Sequence, residues 1–462
     1  MATKKIEFGT DGFRGIIADD FTFENVKKIT HGIIKYLKDF VGDKNSVLIA
    51  YDPRFMADEF ANFSAQILKK SGFKVMLSNS VCPTPIVAFG ATVAKNSAGA
   101  IMFTASHNPK NYLGMKFIPN YGGPATKEIT DIIVSNIDEG YVPSECEGGE
   151  IIMSDFREVY FSHLENLIDF EVIKKANIKF IYDGLFSASV GSFDEILRKH
   201  QIQFEVFNDK YDPNFGGFLP EPKPKFMKNF KNGFLTFAND GDADRYGVID
   251  ENGEWVSPNE ILAILLKYLA EVKNKQGKMI KTVGVSALVD VVAQKLGIET
   301  ITTPVGFKWL SEKMRECETI LAGEDSGGLS VGEHIPEKDG IYANLLILEM
   351  VAKTQKSLSK LRQELQEFAG AEFFCDRVDV KLNSKEQMSQ LQDKFLNFDN
   401  IADLEITQKL EIDGVKFYLG CEKLSWILMR PSGTEPLLRF YIESDSIERL
   451  NKIKAFVEEN VI

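Results

Sequence analysis

Residues 47–54 read VLIAYDPR, a helical pattern follows from Phe60 to Lys70, and after Gly72 the chain continues FKVMLSN (73–79). An apolar run, a polar stop, an amphipathic helix and a second apolar run give strand, loop, helix, strand. The same order returns at IKFIYDGLFSASVG (178–191), FDEILRKH (193–200) and IQFEVFN (202–208). It returns again at KTVGVSA (281–287), LVDVVAQKLG (288–297) and IETITTP (298–304). Strands alternating with helices predict parallel βαβ units, and three such units predict three related α/β domains in a row. The tail departs from this rhythm. It carries EFFCDRVDVKL, a helical stretch near 385–396, then VKFYLG, LSWILMRPSG and LLRFYIES, and ends on the helical IERLNKIKAFVEENV. That order predicts a smaller α+β domain. The expected divisions are 1–153, 154–256, 257–371 and 372–462, with linkers near 145–155, 251–259 and 368–373.

A length of 462 residues accommodates about three or four domains. A hydrophobic share of 44% with 26% charged residues belongs to a globular protein with a large core. The formal net charge of −13 argues against nucleic-acid and anionic-membrane binding, which need basic surface. An acidic protein that handles an anion must gather its cations locally or use a metal. The five cysteines are odd in number and form no C-x-x-C pair, which speaks against a zinc site or a disulfide framework. MATKKIEFGTDG carries no signal-like apolar run, and ILAILLKYLA (261–270) is too short to span a bilayer. The expected location is the cytoplasm.

Four segments carry chemistry. TASHNP (104–109) follows the strand-like GAIMF and sets Ser106 on a polar loop stopped by Pro109. His107 is adjacent, but neighbours on a loop make a poor Ser–His pair, and no G-x-S-x-G elbow surrounds the serine. DGDADR (240–245) alternates Asp240, Asp242 and Asp244 between FLTFAN and YGVID. Three carboxylates about 5 Å apart repel by roughly 3 kcal/mol per pair at an effective dielectric near 20, and a divalent cation relieves this. All-oxygen ligands suit Mg²⁺ or Ca²⁺. Glu251 falls at the twelfth position of an EF-hand loop counted from Asp240. The sixth position, however, is Arg245 where that loop needs Gly, and the flanks read as strands. GEDSGG (323–328) offers Glu324 and Ser326 to sugar hydroxyls between glycines that admit a close ligand. RPSGTEP (430–436) offers Arg430, Ser432, Thr434 and the amides around Gly433 to a phosphate dianion. Taken singly, each segment also reads as an ordinary polar or glycine-rich turn.

Together, in this order and one per domain, the four segments resemble the α-D-phosphohexomutase superfamily, from FGTDGFRG (8–15) to RPSGTEP. The resemblance implies three similar α/β domains with mixed sheets and a smaller α+β C-terminal domain around a central cleft. It implies a phosphoglucomutase/phosphomannomutase of the isomerase class, an intramolecular phosphotransferase of carbohydrate metabolism and a phosphoprotein, acting through a hexose 1,6-bisphosphate intermediate that also serves as activator. Ser106 would carry the phosphoryl group, and Mg²⁺ would be held by Asp240, Asp242, Asp244 and the Ser106 phosphate. Lys116, in GMKF, His107 and Arg14, in TDGFRG, would be catalytic, with Lys116 and His107 the acid/base candidates, and Arg245, which closes the metal motif, would bind substrate. Glu324 and Ser326 would hold sugar hydroxyls, Lys308 in TPVGFKW would read the sugar's orientation, and Arg430, Ser432, Gly433 and Thr434 would hold the passive phosphate. The partners would be small sugar phosphates, without nucleic acid or membrane, on a monomer or homodimer.

Asp325 and Gly328 stand where phosphoglucosamine mutases resemble G-E-Q-S-G-H, and TPVGFKW is similar to the phosphoglucomutase form. Glucose and mannose phosphates are therefore the expected substrates, with phosphoglucosamine mutase as the alternative. A phosphatase of the same fold and a non-catalytic sugar-phosphate-binding homologue are alternatives of another class.

Overall fold

The computed structural model describes residues 6–9, 11–420, 424–431 and 437–461. The chain forms two compact units, Met1–Ser257 with Gly306–Ser359, and Pro258–Val305 with Lys360–Ile462.

The first unit begins with a mixed sheet of β1 (Phe13–Ile16), β2 (Ser46–Tyr51), β3 (Lys74–Ser78), β4 (Ser97–Phe103), β5 (Tyr112–Pro119) and β6 (Glu150–Ser154). The order is β1-β5-β4-β2-β3-β6. β2 lies parallel to β3 and β4, whereas β5 lies antiparallel to β4 and β1. β4 is buried along its whole length, as a central strand covered on both faces must be. The helix Phe23–Phe40 presents Val26, Ile29, Ile33 and Leu37 to the core at helical spacing. The Thr22 hydroxyl caps it by accepting from the Asn25 N–H at 3.3 Å.

A second sheet holds β7 (Phe180–Asp183), β8 (Glu205–Phe207), β9 (Leu235–Asn239), β10 (Tyr246–Ile249) and β11 (Trp255–Val256), in the order β11-β10-β9-β7-β8. β7 is parallel to β8 and β9, and β9 and β10 form an antiparallel pair. In the third α/β segment, β12 (Lys278–Thr282) pairs in parallel with β13 (Thr300–Thr303) within the second unit. The antiparallel pair β14 (Thr319–Gly323) and β15 (Leu329–Ser330) belongs to the first unit.

The C-terminal sheet is antiparallel throughout. It comprises β16 (Phe374–Lys381), β17 (Asn400–Ile401), β18 (Leu404–Leu410), β19 (Val415–Leu419), β20 (Ser425–Pro431) and β21 (Leu437–Ser444), ordered β16-β21-β20-β19-β18-β17. The helices Lys385–Leu396 and Ile447–Asn460 bury Phe395, Leu450, Ile453 and Val457 with Phe417 and Phe440. The fold is thus three α/β segments followed by an α+β domain.

Two details differ from the sequence reading. The strand expected at 281–287 runs from Lys278 to Thr282, because Lys281 is buried, pairs with Asp290 at 2.9 Å and donates to the Val285 carbonyl at 3.3 Å. Val283–Val285 then turn back toward the helix Ala287–Lys295. The stretch near 145–155, read as a linker, ends in β6, which pairs in parallel with β3 at the sheet edge. Among the described residues no helix is long and apolar enough to cross a membrane.

Candidate active site

The loop from β4 to β5 carries Ser106. Its φ of 51° lies in the left-handed region that a non-glycine residue occupies only when its surroundings impose it. The buried Arg54, at the end of the opening DPR, imposes it here. Its guanidinium donates to the carbonyls of Ser106 (2.7 Å), Asn108 (2.8 Å), Pro109 (2.8 Å) and Tyr112 (3.0 Å). Asp52 aligns Arg54 through Nε at 3.0 Å and accepts the Thr104 hydroxyl at 2.6 Å. Thr104 Oγ1 in turn accepts the Ser106 N–H at 2.8 Å. Burial pushes the Asp52 carboxyl up to about 6 against the opposing pull of Arg54 and Thr104.

The DGDADR turn closes the β9–β10 hairpin, where Tyr246 pairs with Asn239. Gly241 has no alternative in this position, since a Cβ there would meet the Ser106 carbonyl oxygen at 2.3 Å. Ala243 turns the loop with a φ of 62°. The consequence is contact between two loops 134 residues apart, in which Ser106 Oγ donates to Asp240 Oδ2 at 2.8 Å. Asp240 Oδ1 accepts the Arg245 N–H at 3.0 Å. Asp242 Oδ2 accepts from the Thr84 hydroxyl at 2.7 Å and from Lys116 at 2.9 Å. Asp244 Oδ2 takes Lys116 and Lys338, each at 3.2 Å.

The other oxygens, Asp242 Oδ1 and Asp244 Oδ1, are buried without a hydrogen-bond partner. One atom from each aspartate falls within 4.8 Å of the others, and among the described residues this is the one cluster suited to a metal ion. Orphaned buried carboxylate oxygens in an all-oxygen set fit a hard divalent cation. Burial and the repulsion of Asp244 and Asp242 push Asp240 well above the usual carboxylate range, a strain that a cation among these oxygens relieves. Asp242 goes the other way, to about 2. Burial would raise it, but the charge of Lys116 and hydrogen bonds from Thr84 and Lys116 outweigh that.

The cations are equally constrained. Lys116 meets Asp11 at 2.7 Å in addition to Asp242 and Asp244. Burial alone would lower its pKa, yet the three carboxylates hold the ammonium charged well above its ordinary range. Lys338 stands beside it, 3.7 Å from Asp11, with its pKa likewise raised by Asp244, Asp11 and Glu337 against burial. Burial pushes Glu337 up to about 8, with Oε2 left unpartnered. His107 Nδ1 lies 3.3 Å from Ser106 Oγ and accepts from Arg245 at 3.0 Å. Burial and the charges of Arg245 and Arg14 lower its pKa to about 2, so the ring is neutral at physiological pH. Arg14 donates to the Asn108 side chain at 2.7 Å.

The structure thus brings Ser106, His107, Lys116, Arg245, Arg14 and the three aspartates together. Glu324 is buried and accepts the Gly306 N–H at 3.1 Å, whereas Ser326 is exposed. A Cβ at Gly328 would fall 2.4 Å from Lys338 Cδ, so this glycine makes room for the lysine stem. Lys308 lines a small cavity with Phe8, Asp11, Gly12 and Pro124. Arg430 belongs to the second unit, where it pairs with Asp413 at 2.8 Å, while Ser432, Gly433 and Thr434 lie outside the described residues. Sequence reasoning missed Asp11, Asp52, Arg54, Thr84, Glu337 and Lys338.

The chain matches the phosphoglucomutase/phosphomannomutase family over all four of its domains. Alpha/beta/alpha domain I falls at residues 5–142, domain II at 158–253, domain III at 257–368 and the C-terminal domain at 378–460. A probable phosphoglucosamine mutase of Methanosphaera stadtmanae is 31% identical over 98% of this chain and 97% of its own. A phosphoglucomutase/phosphomannomutase of Thermococcus kodakarensis is 28% identical over 96% and 95%. A crystal structure from Thermus thermophilus, provisionally assigned as a phosphomannomutase, superimposes with a TM-score of 0.85 at 32% identity, covering 99% of this chain and 98% of that one.

Proposed function

This chain belongs to the α-D-phosphohexomutase superfamily and is a mutase of the isomerase class, and from that premise we propose that it interconverts hexose 1- and 6-phosphates of glucose, and also of mannose, through phosphorylated Ser106. In this reading residues 1–153 carry the serine loop, 154–256 the metal turn, 257–371 the sugar loop and 372–462 the phosphate loop. The observation that carries it is the hydrogen bond from Ser106 Oγ to Asp240 Oδ2, set beside two orphaned aspartate oxygens.

Each half-reaction balances simply. A sugar oxygen attacks the phosphorus on Ser106, a new O–P bond forms as the Oγ–P bond breaks, and the hydroxyl proton ends on Oγ. The hexose 1,6-bisphosphate then reverses its ends, and the other phosphoryl group returns to the serine. Asp240, Asp242 and Asp244 would hold Mg²⁺, which would neutralise phosphoryl charge during transfer. Lys116 and Lys338, both held charged, add to that neutralisation. Of the two acid/base candidates, charged Lys116 can donate a proton, whereas His107 Nδ1, 3.3 Å from Oγ, already accepts from Arg245. Glu324 and Ser326 hold sugar hydroxyls, Lys308 reads the sugar's orientation, and Arg430, Ser432, Gly433 and Thr434 hold the phosphate that is not reacting.

A second reading, phosphoglucosamine mutase, is favoured by the name of the Methanosphaera relative. The deciding measurement is kcat/KM with glucose, mannose and glucosamine 1-phosphates. The proposal expects glucose 1-phosphate to lead. A tenfold preference for the glucosamine phosphate over both others, about 1.4 kcal/mol, would promote the second reading. Release of free phosphate without hexose 6-phosphate would point instead to a phosphatase.

A further inference from the structure

Thr84 touches the metal turn twice. Its N–H donates to the Asp242 carbonyl at 2.9 Å, and its hydroxyl donates to Asp242 Oδ2 at 2.7 Å. The residue opens the helix Thr84–Val93, stands between Pro83 and Pro85, and is wholly buried. The two prolines fix the local backbone, so the hydroxyl projects from a rigid base. Asp242 Oδ2 has one other donor, Lys116 at 2.9 Å, while Oδ1 is buried and unpartnered.

A carboxylate turns easily about its last torsion, and only its hydrogen bonds decide which oxygen faces a neighbour. Lys116 meets the same oxygen but divides its ammonium among Asp242, Asp11 and Asp244. Thr84 is short, is anchored on a helix and contacts this one carboxylate. We propose that Thr84 is a positioning residue for the divalent-cation site, holding Asp242 Oδ2 so that Oδ1 is presented to the ion and locking the turn's backbone to the serine-bearing domain. The inference rests on the reading that the three aspartates bind the metal. Carboxylate ligands are themselves held by outer hydrogen bonds, and loss of such a partner typically weakens metal binding by about 10–100-fold.

The test uses the full chain, stripped of metal and titrated with Mn²⁺ by calorimetry, with Mg²⁺ as competitor. Thr84→Val removes the hydroxyl at nearly constant shape and is expected to weaken Mn²⁺ binding by about 10–100-fold. Thr84→Ser restores the hydroxyl and is expected to stay within about threefold of the unmodified chain, a rescue that a purely space-filling role would not give. Thr84→Ala serves as a second hydroxyl-free variant. A folded hydroxyl-free variant with unchanged affinity overturns the assignment. So does failure of both to fold while the serine variant folds, since the hydroxyl would then serve the fold and not the ion. If the unmodified chain binds no divalent ion, the metal reading falls together with the assignment. If it binds and the valine variant binds equally, only the assignment falls.

Discussion

The serine–aspartate centre and the Arg430 site treat charge in opposite ways. In the first, most charges are buried and met by more than one partner. Arg54 serves four carbonyls and a carboxylate, and Lys116 is shared among three aspartates. In the second, among the described residues, Arg430 meets one partly exposed carboxylate, Asp413, which also accepts the Val305 N–H at 3.2 Å. The difference separates preorganisation from exchange. A centre whose dipoles are fixed in advance loses little energy to rearrangement when charge moves. An arginine in the phosphate-holding role proposed for Arg430 needs a partner that a phosphate dianion can replace.

The comparison breaks most visibly at the serine. Ser106→Ala is expected to lower kcat by on the order of a thousandfold or more, about 4 kcal/mol, and to remove the phosphorylated species from the intact-protein mass spectrum. Full activity in that variant, with no added bisphosphate, would end the covalent reading.

Next in size is the support beneath it. Arg54→Met leaves the buried Asp52 without its cation and is expected to cost about 3–5 kcal/mol of stability, read as a lowered denaturation midpoint. Adding Asp52→Asn should recover a substantial part, because the unpaired charge is then gone. If the double variant is no better than the single, the cost lies in the four lost carbonyl bonds.

Arg430 should behave differently. Arg430→Ala is expected to raise KM for both hexose 1- and 6-phosphate by about tenfold or more, with a smaller change in kcat and little change in stability. Asp413→Asn sharpens the point. If this carboxylate competes with the substrate phosphate, its neutralisation should lower KM a few-fold, and a raised KM would show that Asp413 orients the arginine instead.

The smallest effect is one of pH. His163 stacks on Phe89, and its Nε2 lies 2.9 Å from His334 Nδ1, while His334 Nε2 bonds Asp339 at 2.7 Å. Burial, with a contribution from His334, lowers the His163 pKa to about 4. The unfolded chain protonates near 6.5, the folded chain near 4, so the contribution is complete above about 6.5 and is lost as pH falls toward 4. His163→Gln should flatten the thermal-melt slope across that window.

Much of this molecule was legible in its sequence, and the parts that were not share a cause. The strand–helix–strand rhythm located β2, β3, β7 and β8 because hydrophobic periodicity is a local property. TASHNP and DGDADR stood out because serine and aspartates were packed into short loops. Thr84, by contrast, earns its place only through a residue 158 positions away, and Lys116 was visible only by resemblance. Lys338 sits one residue before the Asp339 cap of the helix Gly340–Thr354, where a sequence suggests a helix start and nothing more. Arg54 ended a recognisable strand as DPR, and an Asp-x-Arg leaving a buried strand is the one local sign that could have marked it. The shift of β12 has the same origin, since a lysine paired inside the core defeats a pattern based on polarity.

Gly241 carries a consequence for how such an enzyme can change. A side chain there would collide with the carbonyl of the residue proposed to be the nucleophile, so the two loops share an interatomic boundary with no slack. A library randomised at position 241 and selected for turnover should return glycine alone, and position 328 should be similarly strict, since a Cβ there would fall 2.4 Å from the Cδ of the buried, carboxylate-held Lys338. Protein engineers seeking new sugars would therefore find no freedom at the seam between the first two domains.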